Sequence, residues 1–193
     1  MRIIAGSARR RILTTLDGTD ITRPTIERVK EGLFSSIQFE IIGKKVLDLF
    51  SGTGQLALEA LSRGAESAVM IDANEKAFEI LKTNAKNTGL IKQCKIAKMD
   101  YSEYLKSASS KGEKFDIVFL DPPYAKDVKD EVLKKVAKAD ILNPGAIVAC
   151  ESDKDLFTEG EEVYGLKFRK KYRYGKVYVV LLEKANDKPN GDE

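Results

Sequence analysis

A chain of 193 residues, 42% hydrophobic and 33% charged, carries enough apolar side chain to bury the core of one domain. It has no histidine, which excludes Ser-His-Asp and Cys-His nucleophile systems, histidine-bound zinc and any imidazole acid or base near neutral pH. The net charge is +3, no apolar run reaches the roughly 20 residues that cross a bilayer, and "MRIIAGSARRR" has charge where a signal peptide is apolar. A soluble cytoplasmic protein with no membrane association is therefore expected.

In chain order, residues 1–22 read as a basic N-terminal extension with hairpin character. Residues 23–40 read as a helix, with Pro24 at its start and Ile26, Val29, Leu33, Phe34 and Ile37 on one face. From residue 44 the pattern alternates. "KKVLDLF" (44–50) is a buried strand, "QLALEALSRG" (55–64) a helix closed by Gly64, and "SAVMID" (67–72) a second strand. A helix over 74–89 follows, then strands at 94–100 and 115–121, a helix near 127–139 and a strand at 145–151. This alternation predicts an α/β fold with a parallel sheet covered by helices on both faces and ligands at the carboxyl ends of its strands. "LKFRKKYRYGKVYVVLLEK" breaks the rhythm, because two strand-like runs meet at "YGK" with no room for a helical crossover and must pair antiparallel. Residues 1–184 thus form one domain with a core at 44–184, and the polar segment 185–193 is a disordered tail. Cys94 and Cys150 lie far apart in apolar stretches, as small core side chains in a reducing compartment do, and neither a disulfide nor a metal site is expected.

The charge is concentrated at the ends. Residues 1–30 hold seven basic residues against three acidic, a net +4, and residues 166–184 hold seven against one, a net +6. Arg9, Arg10, Arg11, Arg28, Lys170 and Lys171, interleaved with Tyr172, Tyr174 and Tyr178, suit a phosphate backbone with rings to stack on bases. The alternative is two solvated hairpin faces.

After the first strand, "DLFSGTGQLALEA" brings Gly52 and Gly54 to a tight turn at the start of a helix with free N–H groups. Gly52, Gly54 and Ala57 satisfy the dinucleotide pattern G-x-G-x-x-G/A, and Asp72 lies 18 residues beyond Gly54. Asp48 before the glycines and Asp100 after the third strand favour a ligand carrying an ammonium and an adenine over one carrying a pyrophosphate. S-adenosylmethionine is such a ligand, with Asp72 on its ribose hydroxyls. Capping of a helix or turn is the alternative role for Asp48 and Asp100. "FDIVFLDPPY" (115–124) ends a buried strand in a carboxylate, two prolines and an aromatic ring. An exocyclic amino group on a base is a poor nucleophile because its lone pair is delocalised. If Asp121 and the Pro122 carbonyl accept its two N–H bonds, the nitrogen becomes more tetrahedral, while Tyr124 stacks on the base. A plain turn is the alternative for this stretch.

The order of "RPTIERVKEGLF", "DLFSGTG" and "DPPY" resembles the RsmD-type methyltransferases over nearly the whole chain. The specific elements are Arg23, Pro24, Thr25, Arg28 and Glu31 with the basic N-terminus. Ser51, Thr53 and Ala57 stand where relatives often have Ala, Ser and Gly. The resemblance implies a Rossmann-like class I methyltransferase, its mostly parallel seven-stranded sheet ending in an antiparallel strand. It implies S-adenosylmethionine as cofactor and no metal. The implied reaction is methylation of the N2 amino group of a guanine in 16S ribosomal RNA, by a monomer acting on the small subunit or an assembly intermediate. It also implies that Arg23, Pro24, Thr25, Arg28 and Glu31 border the cofactor and the target base, Arg23 and Thr25 on the cofactor's side. The other readings are an amino methyltransferase for DNA or RNA adenine or protein glutamine, and a non-catalytic RNA-binding assembly protein.

Overall fold

The computed structural model describes residues 1–15, 24–122, 128–152, 154–155 and 157–186, the side chains of 24–26 and 128–129 excepted. Eight strands form one sheet: β1 (Lys45–Asp48), β2 (Ser67–Asp72), β3 (Cys94–Lys98), β4 (Phe115–Leu120), β5 (Leu142–Ser152), β6 (Glu162–Val163), β7 (Leu166–Tyr174) and β8 (Val177–Lys184). Their spatial order is β3-β2-β1-β4-β5-β8-β7-β6. The pairs from β3 across to β5 are parallel, and β5–β8, β8–β7 and β7–β6 are antiparallel. Chain order reverses at β1, so β1 and β4 lie side by side and their carboxyl ends open the crevice where such sheets bind ligands.

Side-chain alternation decides which face each residue serves. Val46, Ile117, Phe119, Ile147, Ala149, Val179 and Leu181 pack on one side with α1 (Pro24–Ser36), α2 (Gln55–Ser62) and α3 (Glu75–Asn87). Leu47, Val118, Leu120, Val148, Val180 and Leu182 pack on the other with α4 (Tyr101–Ser110) and α5 (Val128–Lys138). Strands buried on both faces read as continuous apolar runs, which is why "KVLDLF" and "FDIVFL" announce themselves.

Three features differ from the expectation. The sheet has eight strands, the extra one being the two-residue β6 that pairs with the start of β7. Helix α4 carries no expected counterpart; Asp100 caps it, accepting from Ser102 N–H at 2.8 Å, and Tyr104, Leu105 and Ala108 are its buried stripe. Helix α1 stops at Ser36, whose Oγ donates back to the Gly32 carbonyl at 2.6 Å. Both cysteines are half-buried thiols outside any disulfide.

Residues 1–14 fold back on themselves, with Arg2 bridged antiparallel to Ile12, and are hydrogen-bonded to α2 and α3. Ile3, Ala8 and Leu13 enter the core. Glu59, wholly buried in α2, accepts the N–H groups of Ile4 (2.7 Å) and Ala5 (3.0 Å) and pairs with buried Lys30 of α1 at 3.2 Å and with Arg63 at 2.8 Å. Lys30 also donates to the Arg2 carbonyl at 2.6 Å. Burial pulls the Lys30 ammonium below its ordinary range, against the opposing pull of Glu59. Asn84 of α3 completes the seam, accepting from Thr14 N–H (2.8 Å) and donating to the carbonyls of Thr14 and Thr53.

Candidate active site

The loop between β1 and α2 is held by its own backbone. Ser51 N–H donates to Ile71 O at 2.9 Å, Gly54 N–H to Ser51 O at 2.6 Å, and Ser51 Oγ to Asp48 O at 2.8 Å. Gly52 and Gly54 both have left-handed backbone, φ +52° and +80°. At Gly54 a Cβ would come within 2.4 Å of Leu81 Cδ1, whereas at Gly52 it would meet nothing. Gly54 is therefore demanded by packing, and Gly52 leaves an open backbone face to a ligand.

Asp72, at the end of β2, accepts Gly52 N–H at 2.9 Å with one oxygen and Asn74 N–H at 2.8 Å with the other. It ties the glycine turn to the neighbouring strand, and each oxygen keeps a lone pair for a hydroxyl. Asp48 is only 2% exposed, and the backbone N–H groups of Phe50 and Ala57 favour its charged form. Gly54 is the N-cap of α2 and has no side chain to cap it, so the carboxylate of Asp48 serves that end from β1. Burial, then the negative charge of Asp121, push the Asp48 carboxyl up from 3.8 to about 7, with Asp72 adding to the rise. Three carboxylates thus crowd the carboxyl ends of β1, β2 and β4. A buried carboxyl whose charged form is opposed first by burial and then by two like charges is one that a neighbouring cation would stabilise.

Asp121 follows β4 directly and is half-buried, and Pro122 after it is buried. Asp121 also lines a cavity of about 410 Å³ walled by Val29, Lys30 and Leu33 of α1, Gln55 and Leu56 of α2, Ala149 to Glu151 of β5 and the β7–β8 turn at Tyr174 to Val177. The turn is fastened to α1. Tyr172 OH meets Ser36 Oγ at 2.6 Å, and a Cβ on Gly32 would lie 1.6 Å from Tyr174 OH, so a side chain at that helix position must displace the Tyr174 ring.

The remaining expected site residues fall as follows. Asp100 is exposed and caps α4, the alternative role read for it. Asp48 likewise serves a helix end, but from a neighbouring strand. Arg23 and Tyr124 lie outside the described residues, as do 16–22 and the tail from 187. Thr25 belongs to the first turn of α1, and nothing of its side chain is described. Arg9, Arg10 and Arg11 are exposed at the tip of the N-terminal segment, and Arg28 is exposed on α1. Lys170 is exposed with its Nζ 5.0 Å from the Tyr172 ring, whereas Lys171 is tied to the Asp155 carboxylate and to Phe157 O at 2.8 Å. Sequence reasoning missed Lys30, Gln55, Glu151 and Lys176 at the cavity, since each arrives from a different element. Glu59 carried a signal that went unused, a lone carboxylate in the apolar run "LALEAL". Among the described residues no group of His, Cys, Asp or Glu could hold a metal ion, and no helix is long and apolar enough to cross a membrane.

A parallel sheet reversed at its first strand and continued by an antiparallel hairpin, with a glycine turn after β1 and carboxylates after β2 and β4, defines the class I methyltransferase fold. Solved structures agree. A hypothetical protein of Thermus thermophilus, TTHA0928, matches with a TM-score of 0.79 at 27% identity, over 95% of this chain and 99% of that one. The 16S rRNA N2 G1207 methyltransferase of T. thermophilus, solved with AdoMet and guanosine, shares the fold at a TM-score of 0.67 and 22% identity, over 87% of this chain and 45% of that one. The family described as Conserved hypothetical protein 95 matches residues 1–183. Ribosomal RNA small subunit methyltransferase D of Haemophilus influenzae is 33% identical over 80% of each chain, and that of Escherichia coli K12 is 33% identical over 79% of this chain and 75% of its own. The chain belongs to this family, the RsmD-type rRNA methyltransferases.

Proposed function

We propose that the protein methylates the exocyclic N2 amino group of a guanine in 16S ribosomal RNA, with S-adenosylmethionine as cofactor. The observation that carries the reading is Asp121, which stands at once on the β4 side of the carboxylate cluster and on the wall of the 410 Å³ cavity. One residue so placed faces a cation on one side and a base on the other.

The cofactor would supply an electrophilic methyl on a sulfonium. Its cationic groups suit the crowd of Asp48, Asp72 and Asp121, Asp72 suits the ribose hydroxyls, and Gly52 offers an open backbone face. The family resemblance assigns Arg23 and Thr25 to the same border, and the position of Asp100 after the third strand assigns it there too. On the base side, the Asp121 carboxylate and the Pro122 carbonyl accept the two N–H bonds of the amino group. That draws the nitrogen toward a tetrahedral form and gives its departing proton an oxygen to go to. Tyr124 stacks on the base. The chain offers no histidine for this work and needs none.

RNA would be held by the basic ends, Arg9, Arg10, Arg11 and Arg28 on one side and Lys170 with Lys171 on the other. The substrate is ribosomal RNA in the small subunit or an assembly intermediate, and the enzyme works in the cytoplasm as a monomer. The names of the relatives support the small-subunit assignment. The test is transfer of labelled methyl from S-adenosylmethionine to small-subunit particles lacking the modification, followed by mass spectrometry of the digested RNA. N2-methylguanosine is expected; methylated adenosine, or no transfer to either RNA or particles, overturns the assignment.

A further inference from the structure

Gln55 opens α2 and lines the cavity together with Asp121 and Glu151. Its Oε1 is buried and, among the described residues, has no hydrogen-bond partner. A buried carbonyl oxygen without a donor is costly, and such a group in a folded protein calls for an explanation. Here the explanation lies close by. The terminal torsion of a glutamine is soft, and a turn about it brings the oxygen to the cavity that the side chain already lines.

We infer that Gln55 is a specificity-determining residue that accepts the N1–H of the target guanine, an inference that rests on the guanine reading above. The chemistry of the wall selects the edge. Lys30 and Lys176 also line the cavity, but Lys30 is committed to Glu59 and the Arg2 carbonyl and Lys176 stands exposed on the turn, so beside the carboxamide oxygen the wall offers the carboxylates of Asp121 and Glu151. The guanine edge beside its amino group presents N1–H and N2–H₂, all donors, whereas adenine sets a bare N1 lone pair beside its amino group. With Asp121 on the N2 amino group, a second acceptor one ring atom away pairs with N1–H of guanine and opposes N1 of adenine. The cofactor's ammonium is the other donor that could satisfy Gln55, but neither Gly52 nor Asp72 lines this cavity. The occupant assigned to it is therefore the base.

The test uses ligand binding, so it does not depend on turnover. Protein saturated with S-adenosylhomocysteine is titrated by NMR with the 5′-monophosphates of guanosine, inosine, 2-aminopurine riboside and adenosine. Inosine keeps N1–H without the amino group, and 2-aminopurine keeps the amino group without N1–H. Gln55→Leu should weaken guanosine and inosine monophosphates by about 10-fold, the worth of one neutral hydrogen bond with its buried partner, and leave the 2-aminopurine compound unchanged or bound more tightly. Gln55→Met, close in length and lacking the acceptor, carries the same test if the leucine variant does not fold; unchanged affinity for S-adenosylhomocysteine reports folding in both. Equal weakening of all the nucleotides, no weakening at all, a parent that prefers the adenosine compound, or a parent that binds none of them overturns the inference. If N2-methylguanosine is nonetheless the product of the reaction, only the role of Gln55 fails; a different methylated product removes both.

Discussion

Asp48 sets a pH dependence that can be worked out in advance. The carboxyl titrates at 3.8 ordinarily and at about 7 in the folded protein, through burial first and the neighbouring Asp121 charge second. Between those values the folded protein holds a proton that the unfolded chain has released, so this group's contribution is fully present below pH 4 and lost as pH rises through 7. The whole span is worth roughly 4 kcal/mol, and about 2.5 kcal/mol of it falls between pH 5 and pH 8. Asp48→Asn cannot ionise. It keeps an acceptor for one of the two N–H groups of Phe50 and Ala57 and loses the other, a cost of about 1–3 kcal/mol that does not vary with pH. Urea unfolding of parent and variant at pH 5 and pH 8 should therefore show the stability difference swinging toward the variant by about 2.5 kcal/mol at the higher pH. The ligands sharpen the point: S-adenosylmethionine should bind the parent more tightly as pH rises from 5 to 7, S-adenosylhomocysteine, without the sulfonium charge, should respond less, and the variant should flatten the first curve. Parallel stability curves for the two proteins across this range would refute the picture of a carboxyl whose ionisation is opposed by burial and by its neighbours.

Other outcomes follow from named contacts. Asp121→Ala should lower turnover with the RNA substrate by roughly 10²–10³ with little change in cofactor affinity, and Asp121→Asn should fall between it and the parent, measured under single-turnover conditions. Glu59→Ala leaves Lys30 buried without its partner and strips Ile4 and Ala5 of their acceptor, so chemical denaturation should report a loss of about 3–5 kcal/mol. Gly32→Ala drives a methyl into Tyr174 OH; it should cost about 1–3 kcal/mol in thermal or urea unfolding, or move the β7–β8 turn and weaken RNA binding while cofactor affinity holds. Charge reversal at Arg9, Arg10 and Arg11, all exposed, should weaken RNA binding and flatten its salt dependence at constant cofactor affinity, read by filter binding across a salt series. Lys170→Glu should do the same, while Lys171→Glu should also destabilise, since Lys171 is already tied to Asp155 and Phe157.

By itself the sequence determined the parts whose signal is local. A parallel strand buried on both faces reads as an apolar run, two glycines before a helix read as a turn, and an aspartate followed by two prolines must end a strand, so β1, β2, β4, the glycine loop and Asp121 were legible. The joining of β7 and β8 was legible because the connection is too short for anything but a hairpin. Helix α4 was not, its stripe of Tyr104, Leu105 and Ala108 diluted by four serines and a lysine, nor was β6, two residues that are a strand only because β7 lies beside them. What only the tertiary structure decided was which distant side chains meet. Asp48 is 73 residues from Asp121, and the charge of one raises the pKa of the other because β1 and β4 are neighbours in a sheet whose order reverses there. Gln55, Glu151 and Lys176 share a cavity for the same reason. Periodicity reports how a segment turns its own faces, and it carries no information on which segment lies opposite. That pairing is a property of the packed sheet and helices, and the chemistry of this site resides in it.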